Sequence, residues 1–176
     1  MGLFTKHTIE SAPAASRPLL TGIKAAFGFI PTMFEYMAEA PTTIEAYLQL
    51  NELVSKTSFS VSDQQVALMA VSVENKCEFC IKAHKAIGKM KGANLDTLLA
   101  LSEGNEITNL KDKALVEFVR LAVKERGRLS LADQNKFISA GFTKQNILEV
   151  MLIVSIKTLS NYINHLTQPE VNSELK

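Results

Sequence analysis

The stretch from Gln64 to Lys91 constrains this chain more than any other. Val66 to Val73 is almost wholly apolar, a pattern that a helix carries when neighbours cover it on every side. Ser72, Glu74, Asn75 and Lys76 then break the pattern, so a kink or break is expected just before Cys77, which would open a new helix. That helix carries the only two cysteines, Cys77 and Cys80, with His84 four residues beyond the second. Positions i, i+3 and i+7 share a helical face, which makes a dithiol with a proton acceptor beside it. At about 100° per residue, Ile87 and Lys91 join that face and Glu78, Lys82, Lys85 and Lys89 fall opposite, so the lysine stripe reads as a solvated surface that does not activate the thiols.

The remainder reads as further helices. Residues 1–15 have no period and form an arm that is ordered only if it packs on something, and residues 16–176 form one domain. Pro31 and Pro41 each suit a first helical turn, which gives helices near 17–27, 31–39 and 41–56. The Met33, Phe34, Tyr36, Met37 cluster reads as core, with a substrate-facing wall as the other use of such a stripe. Ser62 and Gln65 fit a capping box for the apolar helix. Gly92 ends the dithiol helix, and further helices follow at 94–102, at 110–126, from a Ser130 cap to Gly141, and from a Thr143 cap to about Leu166. No strand period stands out, and the fold class is all-α. Sliding the chain by 81 residues lays Gln65 on Asn146, Cys80 on Asn161 and His84 on His165, a faint echo of a duplicated helical hairpin.

Composition removes whole classes of function. The balance of 19 Lys and Arg against 18 Asp and Glu leaves no basic footprint for nucleic acid or anionic lipid. Apolar residues make up 47% of the chain, high for so small a protein, and burial between subunits is the natural outlet, so a homo-oligomer is expected. The N-terminus lacks the pattern of a signal peptide or a myristoylation motif, and the run from Ile147 to Ile156, interrupted by Glu149, is too short to span a bilayer. The expected location is cytoplasmic, where a close Cys pair reads as catalytic, redox-sensing or metal-binding.

Thiol chemistry requires the thiolate, and three features favour it here: the start of a helix, a neighbouring thiol and His84 one turn from Cys80. Placement assigns Cys80 as the thiolate that a hydroperoxide oxidises to a sulfenic acid, and Cys77 as the thiol that condenses with it to a disulfide. His84 would accept the proton and later return it to the leaving oxygen. Gln65 and Glu74 are the candidates to orient His84, but nine residues put them half a turn out of phase, so both cannot face the thiols. Glu74 serves equally as a solvated helix end, and Gln65 as the capping residue. A zinc site would need its fourth ligand from a distant carboxylate or from His7 or His165, and covalent haem attachment fails because Ile81 follows Cys80. A buried structural cysteine pair, in a helical binding or scaffold protein, is the non-catalytic alternative.

Val71 through His84 resembles the core of the alkylhydroperoxidase AhpD-like group within the carboxymuconolactone decarboxylase family. Gly28 to Phe34 through Pro41, and Asn161 to His165, are similar to its peroxidase-related branch. The resemblance implies an all-α fold assembled as trimers or hexamers with no bound cofactor. It also implies a hydroperoxide or disulfide substrate, a dithiol electron donor, and a relay in which a glutamate twelve residues before the first Cys works with His84 and both thiols. Gln65 stands at that position, and glutamine cannot take a proton at neutral pH. Either Glu74 substitutes, His84 works alone, or disulfide reduction dominates over peroxidase turnover. Family members that decarboxylate a lactone generally lack the dithiol, which sets that activity behind the redox one.

Overall fold

The computed structural model describes residues 3–175, so the first two positions of the expected arm lie outside the described residues. Nine helices and one 3-10 turn, and no strand, make up the described residues. The helices are α1 (Arg17–Phe27), α2 (Thr32–Met37), α3 (Pro41–Ser55), α4 (Val61–Glu74), α5 (Glu78–Met90), α6 (Leu95–Glu103), α7 (Leu110–Lys124), α8 (Leu131–Ser139) and α9 (Lys144–Thr167), with the 3-10 turn at Ser173–Leu175. The all-α class and the helix order are those expected from periodicity and caps.

Helix α4 is the hub. Every residue from Asp63 to Ser72 is buried, because α4 meets α5, α6, α7 and α9 on different sides. Its start differs from the expected capping box. Ser60, not Ser62, is the N-cap, accepting from the Asp63 N–H at 3.1 Å, while Asp63 takes the Ser60 N–H at 3.3 Å. An anionic side chain suits the positive end of the helix dipole better than an amide, which favours the Ser60 and Asp63 register. Ser62 instead accepts the Asn94 N–H at 2.9 Å, tying α4 to the start of α6. Gln65 is thereby released from capping and lies one turn inside the helix.

Two apolar cores lie on either side of α3. One is built from α4, α7 and α9 and holds a stack of Phe118, Phe137 and Phe142, with ring centroids 4.1 and 4.2 Å apart. The other joins Leu20, Ile23, Met33, Phe34, Met37 and Ile44 to Cys77, Phe79 and Cys80. Tyr47 of α3 packs against both and meets Phe34 edge to face at 5.4 Å. The arm packs here too: Ala12 is buried, and the His7 N–H bonds to the Glu35 carbonyl at 3.1 Å.

Shifted by 81 residues, α4 and α5 fall on α9, which runs unbroken for 24 residues, and His165 is exposed where His84 is buried. By length and composition α9 could cross a membrane, which the shorter apolar run did not suggest. It packs instead against α2, α3, α4 and α7 and turns Lys157, Ser160, Asn161 and Asn164 inward.

Candidate active site

The break between α4 and α5 sets the position of the first thiol. The Lys76 N–H bonds to the Val73 carbonyl at 3.0 Å and the Cys77 N–H to the Ser72 carbonyl at 2.9 Å, which together make a Schellman link. Lys76 takes the left-handed position at φ 57°, normally held by glycine, at a cost of about 1–2 kcal/mol. Cys77 is then the N-cap of α5, with a side chain that makes no capping bond and leaves its sulfur free for other contacts. One turn on, α5 carries Cys80, and a further turn carries His84; all three side chains are buried. Glu78, Lys82, Lys85 and Lys89 are exposed on the opposite face, as the wheel requires.

The wall facing these groups comes from α9. Asn164 Nδ2 donates to Cys80 Sγ at 3.2 Å and reaches Cys77 Sγ at 3.7 Å. Asn161 Oδ1 accepts from Asn75 Nδ2 at 3.0 Å. Lys157, only 2% exposed, places Nζ 3.0 Å from His84 Nε2. Gln65 Oε1 lies 3.3 Å from His84 Nδ1. An ammonium has only donors, so Nε2 must accept from Lys157; the ring proton therefore sits on Nδ1 and Gln65 must present its oxygen. The tautomer of His84 is fixed from both sides.

The electrostatics follow from this packing. A hydrogen bond from the Cys77 thiol, with the Lys157 charge and the Asn164 amide, outweighs burial and pulls the Cys80 thiol well below its ordinary value. Cys77 moves far the other way, because it shares its proton with Cys80 and is itself desolvated. Burial, followed by the Lys157 charge, holds His84 neutral well below the usual imidazole range. Burial alone would lower Lys157, but Cys80, Tyr47 and Cys77 together raise it.

Cys77, Cys80, His84 and Gln65 are therefore brought together. Glu74 is not: its carboxylate points to α7, 3.8 Å from Lys124 Nζ and 4.0 Å from Arg120 Nε. The half-turn phase between positions 65 and 74 on one straight helix accounts for that separation. Lys157 escaped sequence reasoning altogether. Its signal is a lysine on the same helical stripe as Val150, Ile153, Ser160 and Asn164, where an apolar residue would otherwise be expected. Both ring nitrogens of His84 are engaged, and among the described residues no three His, Cys, Asp or Glu side chains are placed to hold a metal ion.

Residues 41–133 match the model of the carboxymuconolactone decarboxylase family, and no curated protein sequence matches the chain. Among solved structures, an uncharacterized peroxidase-related protein from Ralstonia eutropha, described as an alkylhydroperoxidase AhpD core, superposes with a TM-score of 0.83 at 19% identity over 98% of this chain and 93% of that one. The debrominase Bmp8 gives 0.78 at 18% identity over 98% and 94%. A cysteine-to-alanine variant of Bmp8 in complex with 2,3,4-tribromopyrrole gives 0.77 at 17% identity over 99% and 94%. These structural likenesses are of fold, whereas the family match spans more than half of the sequence and includes the dithiol. The chain belongs to the carboxymuconolactone decarboxylase family and has the fold of the AhpD-like structures.

Proposed function

We propose that the chain is a thiol-dependent antioxidant oxidoreductase that reduces hydroperoxides, or protein disulfides, through Cys80 and Cys77. The observation that carries this reading is the polarised pair: Asn164 donates to both sulfurs, and Cys80 is stabilised as thiolate while Cys77 keeps its proton. In that state Cys80 is the nucleophile and Cys77 the resolving thiol, which is the division of labour that peroxide reduction needs. Cys80 attacks the terminal oxygen, an S–O bond forms as the O–O bond breaks, and an alcohol leaves. Cys77 then condenses with the sulfenic acid to a disulfide and water, and a dithiol donor restores the pair. Exposed Leu53, Val61, Leu110, Leu131, Leu148 and Leu166 support assembly as a homo-oligomer, a trimer or hexamer in the family manner, and the cytoplasm suits a reduced dithiol.

Peroxide consumption coupled to a dithiol reductant tests the reading. Wild type should turn over, Cys80→Ser should lose activity, and Cys77→Ser should stop after one oxidation of Cys80. Unchanged turnover in both variants, or none in wild type with any dithiol, sinks it. The fold shared with a debrominase makes 2,3,4-tribromopyrrole the second substrate to offer, since dithiol oxidation can also drive reductive loss of bromide.

A further inference from the structure

Lys157 is a buried cation with no carboxylate within ion-pair distance among the described residues. Burying an ammonium without a counter-charge is costly, so the anion that compensates it must be sought inside the site. The groups facing it are few. Helix α5 supplies His84, Cys77 and Cys80, and α3 supplies Tyr47. Gln65 of α4 is uncharged, Glu74 is turned toward Lys124 and Arg120 of α7, and Glu35 of α2 pairs with Lys6 at 3.2 Å. Along α9, Lys157, Asn161 and Asn164 stand at i, i+4 and i+7 on one face, and Asn164 reaches Cys80. His84 spends Nδ1 on Gln65 and Nε2 on Lys157, leaving it no lone pair with which to take a thiol proton.

Resting on the oxidoreductase reading above, we infer that Lys157 is a further catalytic residue: its ammonium holds Cys80 ionised and donates the proton that the departing alkoxide takes, while His84 is a positioning residue that aims it. The cycle balances. Reduced enzyme holds a Cys80 thiolate, a Cys77 thiol and charged Lys157. Attack on the hydroperoxide gives the Cys80 sulfenic acid, and the alkoxide becomes alcohol by taking the Lys157 proton. The neutral amine then receives the Cys77 thiol proton and passes it to the departing hydroxide as the disulfide closes, releasing water. An external dithiol returns two electrons, with one proton to Cys77 and one to Lys157. Gln65, unable to ionise, is the acceptor that keeps the Nδ1 proton of His84 in place.

The test compares Lys157→Met, Lys157→Arg and His84→Gln in the reduced full chain. Methionine is close in length and removes a buried charge, and arginine keeps the charge, so folding does not confound the pair. Thiolate absorbance against pH should move up by roughly one to three pH units in Lys157→Met, stay near wild type in Lys157→Arg, and move by less than about one in His84→Gln. An unmoved Lys157→Met titration, or an equal displacement in His84→Gln, overturns the assignment of charge to Lys157. Single-turnover oxidation of Cys80 by hydroperoxide, measured at a pH where both proteins are fully ionised, should remain at least about tenfold slower in Lys157→Met. Equal rates there overturn the acid role. Titration uses no peroxide: a Lys157-dependent thiolate in a protein inert to peroxides would remove the oxidoreductase reading and leave the charge assignment standing.

Discussion

Over its middle turns helix α9 turns Val150, Ile153 and Ile156 inward; over the turns that follow, Lys157, Ser160, Asn161 and Asn164 are buried in their place. Exposure does not tell these two halves apart, since Ile156 is 1% and Lys157 2% exposed. Their neighbours do. The first half meets the phenylalanine-rich core between α4 and α7, where apolar area removed from water stabilises the fold. The second meets sulfur and imidazole, where every buried polar atom needs a partner, and Asn164 Oδ1 and Asn161 Nδ2 have none among the described residues. Burial of the second half thus carries a desolvation cost that the first half does not.

The comparison can be broken from either side. The largest effect is expected in the apolar half: Ile153→Ala should lower the free energy of unfolding by about 2–5 kcal/mol in urea titrations and leave the Cys80 titration unmoved. A displaced thiolate would show that the halves are not independent. In the polar half, Asn164→Leu keeps the branched shape but removes the donor shared by both sulfurs. The thiolate should lose about 1.5–3 kcal/mol of stabilisation, read as a rise in its apparent pKa, with stability changing little at a pH low enough to keep the thiol protonated. A loss of fold in place of that rise would make Asn164 structural.

The pH dependence has a definite sign. Cys80 is held below the free thiol value, so its contribution to stability is complete above about pH 8.5 and is lost as pH falls through the depressed value. The stability gap between reduced wild type and Cys80→Ser should therefore widen as pH rises from about 6 to 8.5, and a narrowing gap would contradict the polarised pair. His84 acts in the same direction, because the unfolded chain gains a proton below about pH 6.5 that the buried ring refuses. The smallest effect belongs to the far end of the hub. Ser60→Ala removes the α4 cap and should cost about 1 kcal/mol with no change in thiol reactivity; an altered thiolate would mean that α4 transmits strain to its other end.

Much of this arrangement was legible because it is local. Helix spans follow from 3.6-residue periodicity and from caps at Ser130 and Thr143, each of which accepts the N–H of the residue three further on. The error at α4 arose where two serines compete two residues apart, each with an acceptor three positions beyond. Along α5 the thiols and His84 share a face by spacing alone, and phase on α4 separates Gln65 from Glu74. The other wall lies 73 residues from His84 in the case of Lys157, and no spacing rule spans that distance. What the sequence does carry is a lysine where the inward stripe of α9 calls for an apolar side chain, a conflict of the kind that marks functional positions.

Cys77 belongs to two helices at once: its N–H closes the end of α4 on Ser72, and its carbonyl accepts the Ile81 N–H at 3.0 Å in the first turn of α5. Both main-chain bonds are independent of the sulfur, and the side chain does no capping. Neither bond has to break for the sulfur to rotate or change its oxidation state. A protein that announces its redox state to partners needs the opposite wiring, in which oxidation melts or shifts an element. This joint keeps the backbone bonding of both helices separate from the sulfur, as a thiol that is oxidised and reduced repeatedly would require.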